Sequence, residues 1–108
     1  MAYKVFLAPV FKSKLQGADK DFKDWFDGIL DQLTENPFVG KPLSAKWFRE
    51  KKHKKQRVYY LIYEQLKAVY VVNMSEKKDQ QAIINSIKLL LDLYKEEIEN
   101  IAKELSEP

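Results

Sequence analysis

The hydrophobic pattern of the chain changes period several times, and each change marks an element. From Ala2 to Ala8, Tyr3, Val5 and Leu7 alternate with Lys4 and Phe6, a strand that Pro9 ends. Val10, Phe11 and Leu15 fit one short helix closed by Gly17. Asp19 stands where a helix N-cap is wanted, because its carboxylate accepts from first-turn amides that lack an intrahelical partner. Phe22, Trp25, Phe26, Ile29, Leu30 and Leu33 then form the single apolar stripe of an amphipathic helix. Asn36-Pro37 stops that helix, since a residue before proline avoids the helical region. Gly40 and Pro42 mark the next stretch as a turn or loop.

The second half is richer in strands. Trp47 to Lys52 is a candidate strand with few apolar residues, while Arg57 to Glu64 is apolar on both faces and suits a central position in a sheet. Gln65 to Lys67 is a short hairpin loop, and Ala68 to Met74 is the partner strand. Ser75 is expected to cap a long helix carried by Ile83, Ile84, Ile87, Leu90, Leu91, Tyr94, Ile98, Ile101 and Leu105. At ~1.5 Å per residue the span from Glu76 to Leu105 would run roughly 45 Å, so the helix must overhang the domain or bend back across it. Ile87, Leu91, Tyr94, Ile98, Ile101 and Leu105 alternate spacings of four and three, a heptad seam. That seam suits packing on the protein's own N-terminal helices, or a surface for another chain and hence a homo-oligomer. The expected architecture is a small α+β domain spanning 1–108, in the order β-α-α-β-β-β-α. Its sheet is mainly antiparallel, with helices on one face and a long C-terminal helix whose extension covers 95–108.

Composition narrows the chemistry. The 108 residues hold 45% apolar and 13% aromatic side chains, sufficient for one core. There is no cysteine and a single histidine, His53, so thiolate and multi-histidine metal sites are excluded, and neither metal nor cofactor is expected. The N-terminus lacks the pattern of a signal peptide and no apolar run approaches the ~20 residues that span a bilayer, which points to a soluble cytoplasmic protein without a membrane partner. The net charge is only +3, yet the charge is polarised. Lys46 to Arg57 carries seven positives against Glu50, whereas Asp92 to Pro108 carries six negatives against Lys95 and Lys103. A dense positive field leading straight into an apolar strand suits a directed site for phosphates.

Most enzyme constellations are missing. The chain has no glycine-rich phosphate loop and no serine–histidine signature, and Glu96 and Glu97 fall on a solvent face of the last helix. The remaining inventory binds phosphate, stabilises developing negative charge and moves protons where neighbours shift a pKa. Cleavage of RNA by its own 2′-hydroxyl needs just these functions: a base, cations around the phosphorane, and an acid for the leaving oxygen.

A family resemblance then emerges from several pieces in order. These are Leu33, Asn36-Pro37, Gly40, Pro42-Leu43, Phe48-Arg49, Arg57 through Glu64, Val69 through Val72, and Ser75-Glu76-Lys77-Lys78. Together, over roughly Tyr3 to Tyr94, they resemble the RelE/ParE toxin superfamily. The resemblance implies the toxin of a type II toxin–antitoxin pair, neutralised by a cognate antitoxin. Its RelE branch implies a metal-independent endonuclease that cuts mRNA in the ribosome and arrests translation. Its ParE branch implies a DNA gyrase inhibitor, and a catalytically weak RNA- or ribosome-binding relative is the further alternative. By position, the resemblance assigns catalytic roles to Arg49, Lys51, Arg57 and Lys77. It assigns RNA contacts to Lys52, His53, Lys54, Lys55, Lys78 and Gln80. Arg49 and Lys51 share a face by alternation, and Lys52, Lys54 and Lys55 replace them if the hairpin register differs. The chain departs from the family pattern at two positions. Gln80 stands where many active members carry an arginine, and Ile84 where they carry a tyrosine or histidine that stacks on a base.

Overall fold

A computed structural model describes residues 2–106. In chain order the elements are β1 (Lys4–Leu7), α1 (Pro9–Gln16), α2 (Lys20–Glu35), β2 (Lys41–Ala45), β3 (Phe48–His53), β4 (Gln56–Tyr63), β5 (Ala68–Glu76), α3 (Gln80–Leu89) and α4 (Leu91–Ser106). The strands form one sheet in the order β1-β5-β4-β3-β2. β1 runs parallel to β5 and every other pairing is antiparallel, so the mainly antiparallel α+β expectation holds.

The helices cover both faces of the sheet, where one face was expected. Val58, Tyr60 and Ile62 of β4 pack with Phe11, Phe22, Phe26, Ile29 and Leu33 of α1 and α2. Tyr59 and Leu61 point the other way, onto Ile84, Ile87, Tyr94 and Ile98 of α3 and α4. The cause is the strand itself: a segment apolar on both faces needs a cover on each. Asp19 caps α2 as expected, accepting from the Phe22 N–H at 2.8 Å.

The stretch after Gly40 is not a loop. Gly40 ends the preceding turn and Pro42 lies in an edge strand, β2, with Lys41 opposite Glu50 and Pro42 opposite Arg49. Proline is tolerated there because an edge strand leaves one side of its backbone unpaired. The preceding turn is sewn to the core by Tyr60, whose hydroxyl donates to Pro37 O at 2.6 Å and accepts from the Gly40 N–H at 3.0 Å.

The single long helix also divides. Ser75 belongs to β5 instead of capping a helix, and its Oγ lies 2.8 Å from the Tyr59 hydroxyl. Lys77–Asp79 form a 3-10 turn before α3 begins. At Leu90 the backbone leaves the helical region (φ −106°, ψ 9°), and its N–H closes α3 on Ile87 O. A straight helix of roughly 45 Å would overrun a molecule whose longest extent is 42 Å. Bending at Leu90 lets α4 place Tyr94 and Ile98 on the sheet, fastened by the Tyr70 hydroxyl donating to Glu97 at 3.1 Å. The heptad seam therefore packs on the protein's own sheet, on the face opposite the N-terminal helices, with Ile87, Tyr94 and Ile98 buried and Leu105 exposed. The expected extension over 95–108 is the body of α4 as far as Ser106, and its last two positions lie outside the described residues. Among the described residues no helix is long and apolar enough to cross a membrane.

Candidate functional site

Register decides which basic side chains meet. In β3, alternation sends Phe48, Glu50 and Lys52 to the α3 face and Arg49, Lys51 and His53 to the α2 face. Across the β3–β4 ladder Lys52 stands opposite Arg57, and Glu50 opposite Tyr59. β2 adds Lys41 opposite Glu50, and β5 adds Ser75 opposite Arg57. Two cross-strand rows result, Lys41–Glu50–Tyr59 and Lys52–Arg57–Ser75, on the end of the sheet where α3 begins.

These rows floor an open cleft of about 470 Å³. Lys41, Lys52, Arg57 and Lys77 supply four cations around the carboxylate of Glu50, and Lys51 borders the cleft from the other face of β3. Val39 and Gln80 complete the walls. Glu50 and Arg57 are buried, so the sheet fixes them, while Lys41, Lys52 and Lys77 are exposed and free to follow a ligand. Gln80 Nε2 donates to Glu50 Oε1 at 2.6 Å, and Arg57 Nη1 donates to the Lys54 and Gln56 carbonyls at 3.2 and 3.1 Å. The Tyr59 hydroxyl lies beneath the site, and burial raises its pKa. A slightly larger hollow, about 490 Å³, opens beside Trp47, Leu66 and Leu91, but its charged lining of Glu64, Asp92 and Glu99 against Lys95 does not suit phosphate.

Of the residues singled out by sequence, Arg57, Lys52, Lys77 and Gln80 come together in this cleft, while Lys51 lies at its border with its side chain on the α2 face of β3. Arg49 does not. Its guanidinium donates to the carbonyls of Lys46, Phe38 and Gly40 and lies 5.1 Å from the Phe38 ring centroid, fastening the turn before β2. His53 turns to α2, stacked on Trp25 at 4.8 Å with Nε2 2.8 Å from Asp21. Lys54 pairs with the same Asp21 oxygen at 2.9 Å, which holds the aspartate below its usual pKa, the His53 contact contributing most. Lys55 is exposed at the hairpin tip, and Lys78 pairs with Glu76 at 3.4 Å. Ile84 is buried in the α3-side core, so no aromatic ring stands at its position.

Sequence reasoning missed Lys41 and Glu50. Lys41 was hidden by treating Gly40 to Pro42 as loop; the tolerance of edge strands for proline was the available signal. Glu50 was counted as a dilution of a basic run, although a lone carboxylate inside one is itself a signal.

The fold has known counterparts. No protein-family model and no curated protein matches the chain by sequence. Among solved structures, a free arginine-to-alanine double mutant of the E. coli toxin RelE superposes with a TM-score of 0.71 at 14% identity, over 83% of this chain and 99% of that one. The archaeal RelE–RelB complex from Pyrococcus horikoshii gives 0.64 at 19% identity, over 71% and 97%. The toxin–antitoxin complex RelBE2 of Mycobacterium tuberculosis gives 0.62 at 17% identity, over 71% and 100%. The chain has a RelE-like toxin fold.

Proposed function

We propose that this protein is the toxin of a type II toxin–antitoxin pair and that it cuts mRNA on the ribosome in the cytoplasm, using the cleft between β2, β3, β4 and α3. The observation that carries this reading is the convergence of Lys41, Lys52, Arg57 and Lys77 around Glu50 on a RelE-like fold. The reading gives each group a role. Glu50 accepts the proton of a 2′-hydroxyl, whose oxygen attacks the adjacent phosphorus. Arg57 and Lys52 stabilise the charge that develops on the phosphorane oxygens. Lys77 delivers a proton to the departing 5′-oxygen, leaving a cyclic phosphate. Lys51, Lys54 and Lys55 extend the positive field toward ribosomal RNA. The cognate antitoxin is the expected protein partner, as RelB is for the RelE proteins solved in complex.

A second reading has its own observation. With Gln80 bound to Glu50 and Ile84 in the core, the cleft presents no aromatic platform for a base. That favours a weak nuclease, or a relative that binds ribosomal RNA without cutting. Adding purified protein to a translating extract separates the two. Arrest accompanied by cuts inside translated codons supports the nuclease, whereas arrest with intact message supports the binder.

A further inference from the structure

The β3–β4 turn holds its conformation against local preference. Lys54 takes φ 55°, a left-handed backbone usually given to glycine or asparagine. Five contacts hold the turn around it. On the α2 side, one oxygen of Asp21 receives both His53 Nε2 at 2.8 Å and Lys54 Nζ at 2.9 Å. The His53 ring lies on Trp25, with centroids 4.8 Å apart and planes 19° from parallel. On the cleft side, Arg57 Nη1 donates to Lys54 O at 3.2 Å and to Gln56 O at 3.1 Å. Among the described residues Arg57 has no ion-pair partner. Its buried guanidinium is therefore aimed by the turn's carbonyls, and the turn is in turn held by α2.

We propose that Asp21 and His53, with Trp25 beneath the ring, form a latch that positions Arg57 for phosphate in the cleft. They are positioning residues: they lie on the opposite face of the sheet and act through the Lys54 carbonyl. The inference rests on the reading of the cleft as a phosphate site. It also accounts for His53, which turns away from any RNA in that cleft yet remains coupled to it. Electrostatics alone makes the opposite prediction. Removing the Asp21 carboxylate makes the protein more positive, and a field effect would tighten anion binding. A latch predicts weaker binding, because the guanidinium loses its orientation.

The test titrates the whole protein with inorganic tripolyphosphate by calorimetry and follows the Arg57 Nε–H signal by NMR. For Asp21→Asn the expected result is affinity weakened roughly fivefold to tenfold, with the Arg57 signal displaced or broadened and the melting temperature within a degree or two of wild type. Asp21→Glu should restore most of the affinity, and His53→Ala, which removes the ring that bridges Asp21 and Trp25, should weaken it in the same direction. Wild-type binding with equal or tighter binding by Asp21→Asn overturns the latch while leaving the cleft intact. Failure of the wild type to bind tripolyphosphate overturns the cleft reading and the latch with it. Should Asp21→Asn unfold, His53→Ala decides: unchanged affinity in that variant also overturns the latch.

Discussion

Arg49 and Arg57 are both arginines beside apolar strands, yet the pleat gives them different work. Arg49 fastens a turn through three backbone carbonyls, while Arg57 is held at the floor of a cationic cleft. Arg49→Ala should therefore destabilise the protein by ~1–3 kcal/mol in urea unfolding, through lost hydrogen bonds and an unsatisfied turn. Lys52→Ala, by contrast, should stay within about ±0.5 kcal/mol while weakening phosphate binding. Glu50→Gln separates binding from chemistry. Replacing the only carboxylate in the cleft lining should tighten phosphate affinity and abolish cleavage, readable by parallel binding and cleavage assays. A loss of both together would place Glu50 in structural support of the cleft instead. The sequence made the basic side chains visible, but not which of them meet. A register shift of one residue exchanges the two faces of a strand, and only the pairing of Lys52 with Arg57 and of Lys51 with Val58 resolves it.

Element by element, α1 and the capped start of α2 followed from apolar spacing and local capping chemistry, as did the β4–β5 hairpin. β2 did not, because Pro42 reads as a loop marker until the pairing with β3 places it on an edge strand. The bend at Leu90 was equally hidden. No proline or glycine marks it; it follows from the reach of a helix relative to the sheet it must cover. Close approach does leave one readable trace. A Cβ at Gly40 would lie 2.5 Å from the Tyr60 hydroxyl and 2.6 Å from Glu50 O. Gly40→Ala should accordingly cost ~1–3 kcal/mol, by thermal or chemical unfolding, as the turn is pushed off Tyr60. A neutral result would mean that β2 is held loosely and that Lys41 is not fixed to the cleft.

Across the whole molecule, two cores share one sheet, and six tyrosines run through or beside them. Burial raises the phenol pKa of Tyr59, Tyr60, Tyr63, Tyr70 and Tyr94. In the unfolded chain these groups ionise near ~10. Below that pH both states keep the protons and stability is unaffected. As pH rises through ~10 the unfolded chain loses protons first, so stability should fall steadily toward the raised folded values. Urea midpoints measured at neutral pH and near pH ~11 check this sign.

Cut sites on an mRNA undergoing translation are mapped by primer extension with wild-type protein and with Arg57→Ala. New 5′ ends are expected within translated codons for the wild type, none on the same message free of ribosomes, and none in Arg57→Ala although that variant stays folded. Undiminished cleavage by folded Arg57→Ala, or translation arrest by the wild type with the message left whole, would overturn the nuclease reading of the cleft.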